Sequence, residues 1–301
     1  PVAEQQIVEI VKVLSQNADV IIMDEPTAAL SIEETGQLFE IMNELRKSGK
    51  GIIYISHRLE EIYKVAQRIC VLRDGWLVNT FVPEDTPVDA IVKSMVGQSI
   101  SEFYVKNIYE TGKIAIKVDN LSCKKEFNEI SFEVREGEIL GIAGLMGAGQ
   151  IPLARCIYGL DKADSGSVII GESELKNQLP STSIANGLGL VTENRKEEGL
   201  ILQMSIKNNI GLSPWAPISI LKGIINKKKE SDLADHSIEK YSIKANSSNQ
   251  EVVLLSGGNQ QKLAIAKVLA TDPKVVILCE PTRGVDVNGK VEIYTIMNQL
   301  L

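Results

Sequence analysis

The tail of this chain repeats its head at a fixed offset of 255 positions: Glu25-Pro26-Thr27 returns as Glu280-Pro281-Thr282, and Ile41-Met42-Asn43 as Ile296-Met297-Asn298. The match needs no gap over the last 46 residues. A long fixed period marks duplicated domains rather than a short solenoid repeat. Two whole copies of a 255-residue period do not fit into 301 residues. The expected organisation is the end of one domain over 1–97, a linker over 98–112, and most of a second domain over 113–301. Pro1 falls inside a motif and Leu301 inside a helical pattern, whereas natural boundaries lie in linkers, so the expectation is a partial reading frame.

Composition removes several classes. With 44% hydrophobic and 24% charged residues the chain reads as globular and long enough for two cores. A net charge of −7 lacks the basic field of a nucleic-acid binder. The one basic run, Lys227-Lys228-Lys229, is followed by Glu230 and Asp232 and reads as a solvated helix face. No apolar run reaches a membrane span, and no signal peptide is visible. The four scattered cysteines fit reduced thiols, and two histidines leave no multi-histidine metal site.

The patterning alternates strands and helices. Apolar spacing predicts a helix over 4–16, and Val20 to Met23 reads as a buried parallel strand. A helix over about 33–47 follows, ending at Gly49, and then a second buried strand over 52–55. Val71 to Gly75 reads as a strand entering a turn. Residues 114–118 and 130–134 alternate like half-exposed antiparallel strands. Residues 138–143 and 275–278 read as buried strands, and 200–245 as a mainly helical insertion. The fold class expected is α/β, with a largely parallel sheet.

Four constellations carry chemistry. Asp24 and Glu25 end the first apolar strand, where ligands of open α/β sheets sit. An aspartate there can hold Mg²⁺ on a nucleotide, and the neighbouring glutamate can orient or deprotonate water. His57 ends the next apolar strand, within reach of the same phosphate. Gly144, Gly147, Ala148 and Gly149 form a glycine-rich turn of P-loop shape, whose backbone N–H groups would cradle phosphates. Its usual lysine and hydroxyl are replaced by Gln150 and Ile151. Finally, Ser256-Gly257-Gly258 opens a helix near Asn259-Gln260, offering N–H groups and a hydroxyl to an anion.

Together these residues resemble the ATP-binding-cassette ATPases. Leu255 to Lys262 looks like the family signature, Asp24-Glu25 and Glu280 like the acids of its Walker B strands, and His57 like its switch histidine. The likeness extends to Ile55-Ser56-His57-Arg58-Leu59-Glu60-Glu61-Ile62, to Val191-Thr192-Glu193-Asn194-Arg195-Lys196 and to Pro281-Thr282-Arg283-Gly284-Val285-Asp286. These segments are similar to the tandem-cassette subunits of bacterial monosaccharide importers. The resemblance implies P-loop-type cassettes with an antiparallel β subdomain and a helical subdomain. It implies ATP and Mg²⁺ as ligands, and Glu193 at a loop that meets metal or water and senses the permease. Transmembrane permease subunits would be the partners, a periplasmic or extracellular sugar-binding protein an indirect one, and the cytoplasmic face of the bacterial inner membrane the location.

Family cassettes pair head to tail, so the resemblance sorts the residues into two composite sites. One would use Asp24, Glu25 and His57 with Ser256, Gly257 and Gly258, and would be competent. The other would use Gly147, Gly149, Gln150, Cys279 and Glu280 with the first signature, Pro1 to Gln6. It departs from the pattern at Gln150, Ile151, Cys279, Pro1 and Ala3. A thiol is a poor ligand for a hard cation. Two other readings stand beside this one: a non-hydrolytic nucleotide-binding remnant, and a soluble tandem cassette of the ribosome or DNA repair. Phe127 is either an adenine platform or a core residue, and His236 is expected to be exposed.

Overall fold

The computed structural model describes residues 8, 12, 18–27, 30–73, 75–96, 110–145, 147–175, 179–213, 219–221 and 224–301. The chain divides into two compact units, Pro1–Val105 and Lys106–Leu301. Most of the helix expected over 4–16, the motif Pro1 to Gln6 and linker residues 98–109 lie outside the described residues; Val8 and Lys12 are helical.

In the first unit, β1 (Val20–Asp24) pairs in parallel with β2 (Gly51–Ile55). The crossover helix α1 (Ile32–Lys47) buries Leu38 and Met42 against Ile21 and Met23. Its start is set by Ser31, whose hydroxyl accepts from the Glu34 amide while the Glu34 carboxylate accepts from the Ser31 amide. Its end is set at Gly49, in the left-handed region at φ 88°. Helix α2 (Leu59–Val65) follows, then a hairpin of β3 (Ile69–Arg73) and β4 (Trp76–Phe81), then α3 (Val88–Val96). The expectation that β1 and β2 are buried on both faces is corrected. Val20, Ile22, Ile53 and Ile55 are exposed, because α1 covers one face of this two-stranded sheet and no described element covers the other.

The second unit opens on an antiparallel sheet in the order β6-β5-β7-β8: β5 (Ile114–Cys123), β6 (Phe127–Arg135), β7 (Ser165–Ile170) and β8 (Ser173–Glu174). Its inner face packs Val118, Leu121 and Val168 against Leu153, Cys156 and Ile157 of α4 (Gln150–Tyr158). Beyond it, α5 (Pro180–Ala185) leads into β9 (Leu188–Val191), which pairs in parallel with β12 (Val275–Leu278). Between them lie α6 (Ile206–Gly211), a short hairpin of β10 (Ser219–Leu221) and β11 (Ile224–Ile225), α7 (Lys227–Lys240) and α8 (Gly257–Leu269). The helical insertion is thus borne out, with a hairpin added. Helix α9 (Val287–Asn298) closes the unit.

Residues 138–143 form no strand, contrary to expectation. Ile139, Leu140 and Ile142 are exposed. A strand exists only where a neighbour takes up its N–H and C=O groups. Among the described residues this segment pairs with neither β9 nor β12. The largest core gathers the inner faces of α6, α7, α8 and α9 around Ile206, Ile210, Leu263, Ile265 and Ile293.

Candidate functional site

Both acids that follow the repeated strands sit in the same rare backbone conformation. Glu25 and Glu280 each have φ 45°, a region glutamate seldom occupies. Strain of this kind persists where surrounding structure over-determines it, and it clusters at functional sites. In the first unit the cause is visible. The Glu25 amide donates to Ile55 O of β2 at 2.9 Å, which turns the chain sharply as it leaves β1.

That turn aims the Glu25 carboxylate at His57. The His57 backbone amide donates to Oε1 at 3.2 Å, and ring atom Nδ1 lies 2.7 Å from the same oxygen. A carboxylate only accepts, so the proton between them sits on Nδ1 and the other ring nitrogen, Nε2, is left for a ligand. Asp24, exposed at the carboxyl end of β1, offers the oxygen ligand a hard cation takes.

Beneath this pair lies a polar cluster that the sequence did not single out. The fully buried Thr27 hydroxyl donates to Glu61 Oε2 at 2.7 Å, and the Tyr54 hydroxyl donates to the same oxygen at 2.6 Å. Arg58 Nη1 donates to Glu61 Oε1 at 2.9 Å. Burial pushes the Glu61 carboxyl up, but these three donors outweigh it and hold it below its ordinary value. Burial, together with the Glu61 bond, raises the Tyr54 hydroxyl. Glu61 thereby fastens the turn after β1 to the start of α2, on either side of Glu25 and His57. Its signal in the sequence was only a glutamate four residues past the histidine.

In the second unit the glycine-rich turn leads into α4. Gly147 and Gly149 have φ 82° and 96°, and a Cβ on Gly149 would lie 2.6 Å from Glu126 O. Both positions therefore need glycine. No side chain caps α4, so its first amides face outward. Two features weaken the cradle. Pro152, in the first turn, has no N–H to give a phosphate. Gln150 folds back across the loop, Nε2 donating to Leu145 O at 3.3 Å. Gly144 and Ala148 line the same turn, and Ala148 N donates to Leu145 O.

The positions where a cassette would hold its metal lie in one apolar cluster. Ile151 and Cys279 belong to one cluster with Ala154 and Leu190. Burial pushes the Cys279 thiol up to about 11, so it is neutral near pH 7. This donor set does not fit Mg²⁺. Glu193, expected at the metal, forms an ion pair with Arg283 at 3.4 Å. Phe127 is buried in the sheet core, which favours the packing reading. His236 is exposed, as expected.

The Ser256-Gly257-Gly258 segment caps α8. The Ser256 hydroxyl accepts from the Asn259 amide at 3.5 Å and from Asn259 Nδ2 at 2.9 Å, leaving the amides of Gly257 and Gly258 for an anion. Gln260 is corrected: its side chain is buried and donates to Val252 O and Leu255 O, both at 3.2 Å, bracing the loop from within. Asp286 caps α9 by accepting from the Gly289 amide at 2.9 Å. Behind these motifs, Arg155, Tyr158, Leu190, Thr192, Glu198 and Lys267 line an open groove of about 290 Å³. Among the described residues no helix is long and apolar enough to cross a membrane.

A family model described as ABC transporter matches residues 127–283. The ribose import ATP-binding proteins RbsA of Oceanobacillus iheyensis and Bacillus subtilis are 48% and 47% identical over 299 residues. Those alignments take in 99% of this chain and 60% of each relative, so the chain spans about three fifths of their length. Among solved structures, the fold is similar to an ATP-binding cassette in a dimeric post-hydrolysis state bound to ADP and Pi. The TM-score is 0.53 at 23% identity, over 62% of this chain and 82% of that one. It is similar too to the cbiO1 protein of Clostridium perfringens, part of an ABC transporter complex, with TM-score 0.52 at 21% identity over 63% and 74%.

Proposed function

This chain belongs to the ABC transporter family, and on that premise we propose that it is part of the ATP-binding and hydrolysing subunit of an importer for a monosaccharide, with ribose the first cargo to test. The observation that carries the reading is the Glu25–His57 contact of 2.7 Å at the end of β1. His57 holds one oxygen of Glu25, which leaves the other to accept a hydrogen bond from an attacking water. Nε2 of His57 then faces the terminal phosphate. Mg²⁺, when bound, would neutralise charge on the phosphates, and Asp24 is the residue that would hold it.

The finer part of the proposal is one working site and one degenerate site. Asp24, Glu25 and His57 would act with the outward amides of Ser256 to Gly258, in the head-to-tail manner of the family. The turn of Gly144 to Gly149, with Gln150, Ile151, Pro152 and Cys279, would bind nucleotide weakly or only structurally. Glu280 keeps the acid and the strained backbone but lacks a metal ligand beside it. The loop carrying Glu193 would meet the permease, and the subunit would work at the cytoplasmic face of the inner membrane. Hydrolysis of MgATP by the intact protein tests the assignment. Glu25→Gln is expected to lower kcat by at least about a hundredfold, the loss of a general base. Glu280→Gln is expected to leave it within about threefold. The reverse ranking would overturn the assignment.

A further inference from the structure

We infer that Arg195 is a positioning residue that locks three segments of the second unit into one rigid group: the loop carrying Glu193, the Ser256–Gly258 turn, and the turn after Glu280. Nη1 donates to Arg283 O at 2.8 Å and to Gln261 Oε1 at 3.3 Å, and Nη2 donates to Gly284 O at 3.2 Å. Arg283 returns the connection through its ion pair with Glu193. One guanidinium thus ties its own loop to α8 and to the segment between β12 and α9.

The glycine of the signature turn answers to this side chain. A Cβ on Gly257 would lie 3.0 Å from Arg195 Nη2 and 3.0 Å from Gly284 O. The guanidinium occupies the space a side chain at 257 would need, so the turn closes onto it. Arg195 takes this place at a cost. Among the described residues no carboxylate pairs with it, and its Nε is buried without a partner. Burial lowers its pKa. A half-buried cation held by carbonyls gains less than one in an ion pair, so geometry rather than net stability is what it supplies. Lysine cannot replace it, because one ammonium on a flexible stem does not reproduce a planar fork reaching three acceptors.

The functional consequence rests on the proposed reading, in which the Ser256–Gly258 amides meet a phosphate. Through Arg195 those amides keep a fixed position relative to the Glu193 loop, so movement of that loop is passed to the turn that meets the nucleotide.

Amide hydrogen exchange on the 301-residue chain tests the lock without requiring turnover. Arg195→Lys and Arg195→Ala should each speed exchange about tenfold or more in 256–260 and 284–286. The sheet β5–β7 should be unchanged. Gln261→Met, which removes only the tie to α8, should speed exchange in 256–260 alone. Wild-type exchange in those segments in the variants, full protection with lysine, or a uniform rise across the unit would each overturn the inference. In the intact protein, Arg195→Lys should lower kcat for MgATP about tenfold with KM within about threefold. An unchanged kcat would overturn the functional consequence. A wild-type protein that hydrolyses nothing, with the exchange pattern still as described, would refute the proposed activity and leave the lock standing.

Discussion

At the residue scale, the two copies have parted by substitutions that gather in one apolar cluster. Cys279 stands 255 positions after Asp24, and in the structure its cluster with Ala154 and Leu190 is packed by Ile151, which follows Gln150 in the glycine-rich turn. The thiol responds to that setting. An acid whose pKa is raised in the folded state ionises only above its ordinary value, so Cys279 stays neutral until the pH approaches 11. Alkylation by iodoacetamide at pH 8 should therefore modify exposed Cys70 at least about tenfold faster than Cys279. Peptide mass spectrometry over time reads the ratio; equal rates would mean that the apolar cluster around Cys279 opens readily. Glu61 shows the opposite tendency at this scale, a buried carboxylate whose donors hold a functional turn in place.

At the element scale, the short repeated strand works because of what precedes and follows it. Helix α1 carries the capping box of Ser31 and Glu34 at one end and Gly49 at the other. It has acids in its first turn and Arg46 and Lys47 in its last, each placed to complement the helix dipole. The box was readable as Ser31-Ile32-Glu33-Glu34 before an apolar pattern. Ser31→Ala should cost about 1 kcal/mol, the usual value of an N-cap. Urea unfolding monitored on the first unit measures it, and a change below a few tenths would mean that α1 is held by Leu38 and Met42 alone. Periodicity located α1, β1, β2, β3, β5, β6 and β12 or their neighbourhoods closely, and gave no sign of β9. It failed for 138–143 because an apolar run states only that a segment can be buried, not that a neighbouring strand is there to pair with it.

At the scale of the whole molecule, the two units have separate cores. The antiparallel sheet with α4, and the cluster of α6 to α9, lie wholly within Lys106–Leu301. Residues 106–301 expressed alone should therefore fold and unfold cooperatively, with a melting midpoint within a few degrees of the matching transition in the 301-residue chain. Differential scanning calorimetry compares the two; a shorter chain without a transition would show that the first unit is needed for this core. The sequence by itself determined the duplication, the family, the acid and histidine pair, and the departures at Gln150, Ile151 and Cys279. Those are matters of residue type and spacing along one dimension. Only the tertiary structure decided that Ile151 and Cys279 share one apolar cluster, that Gln260 faces inward, that Glu61 binds Thr27, and that Arg195 reaches Gln261 and Gly284. The bonds of Glu61 and Arg195 join residues 34 to 89 positions apart in the chain, and no local pattern of charge or hydrophobicity encodes which distant partner fills a given space.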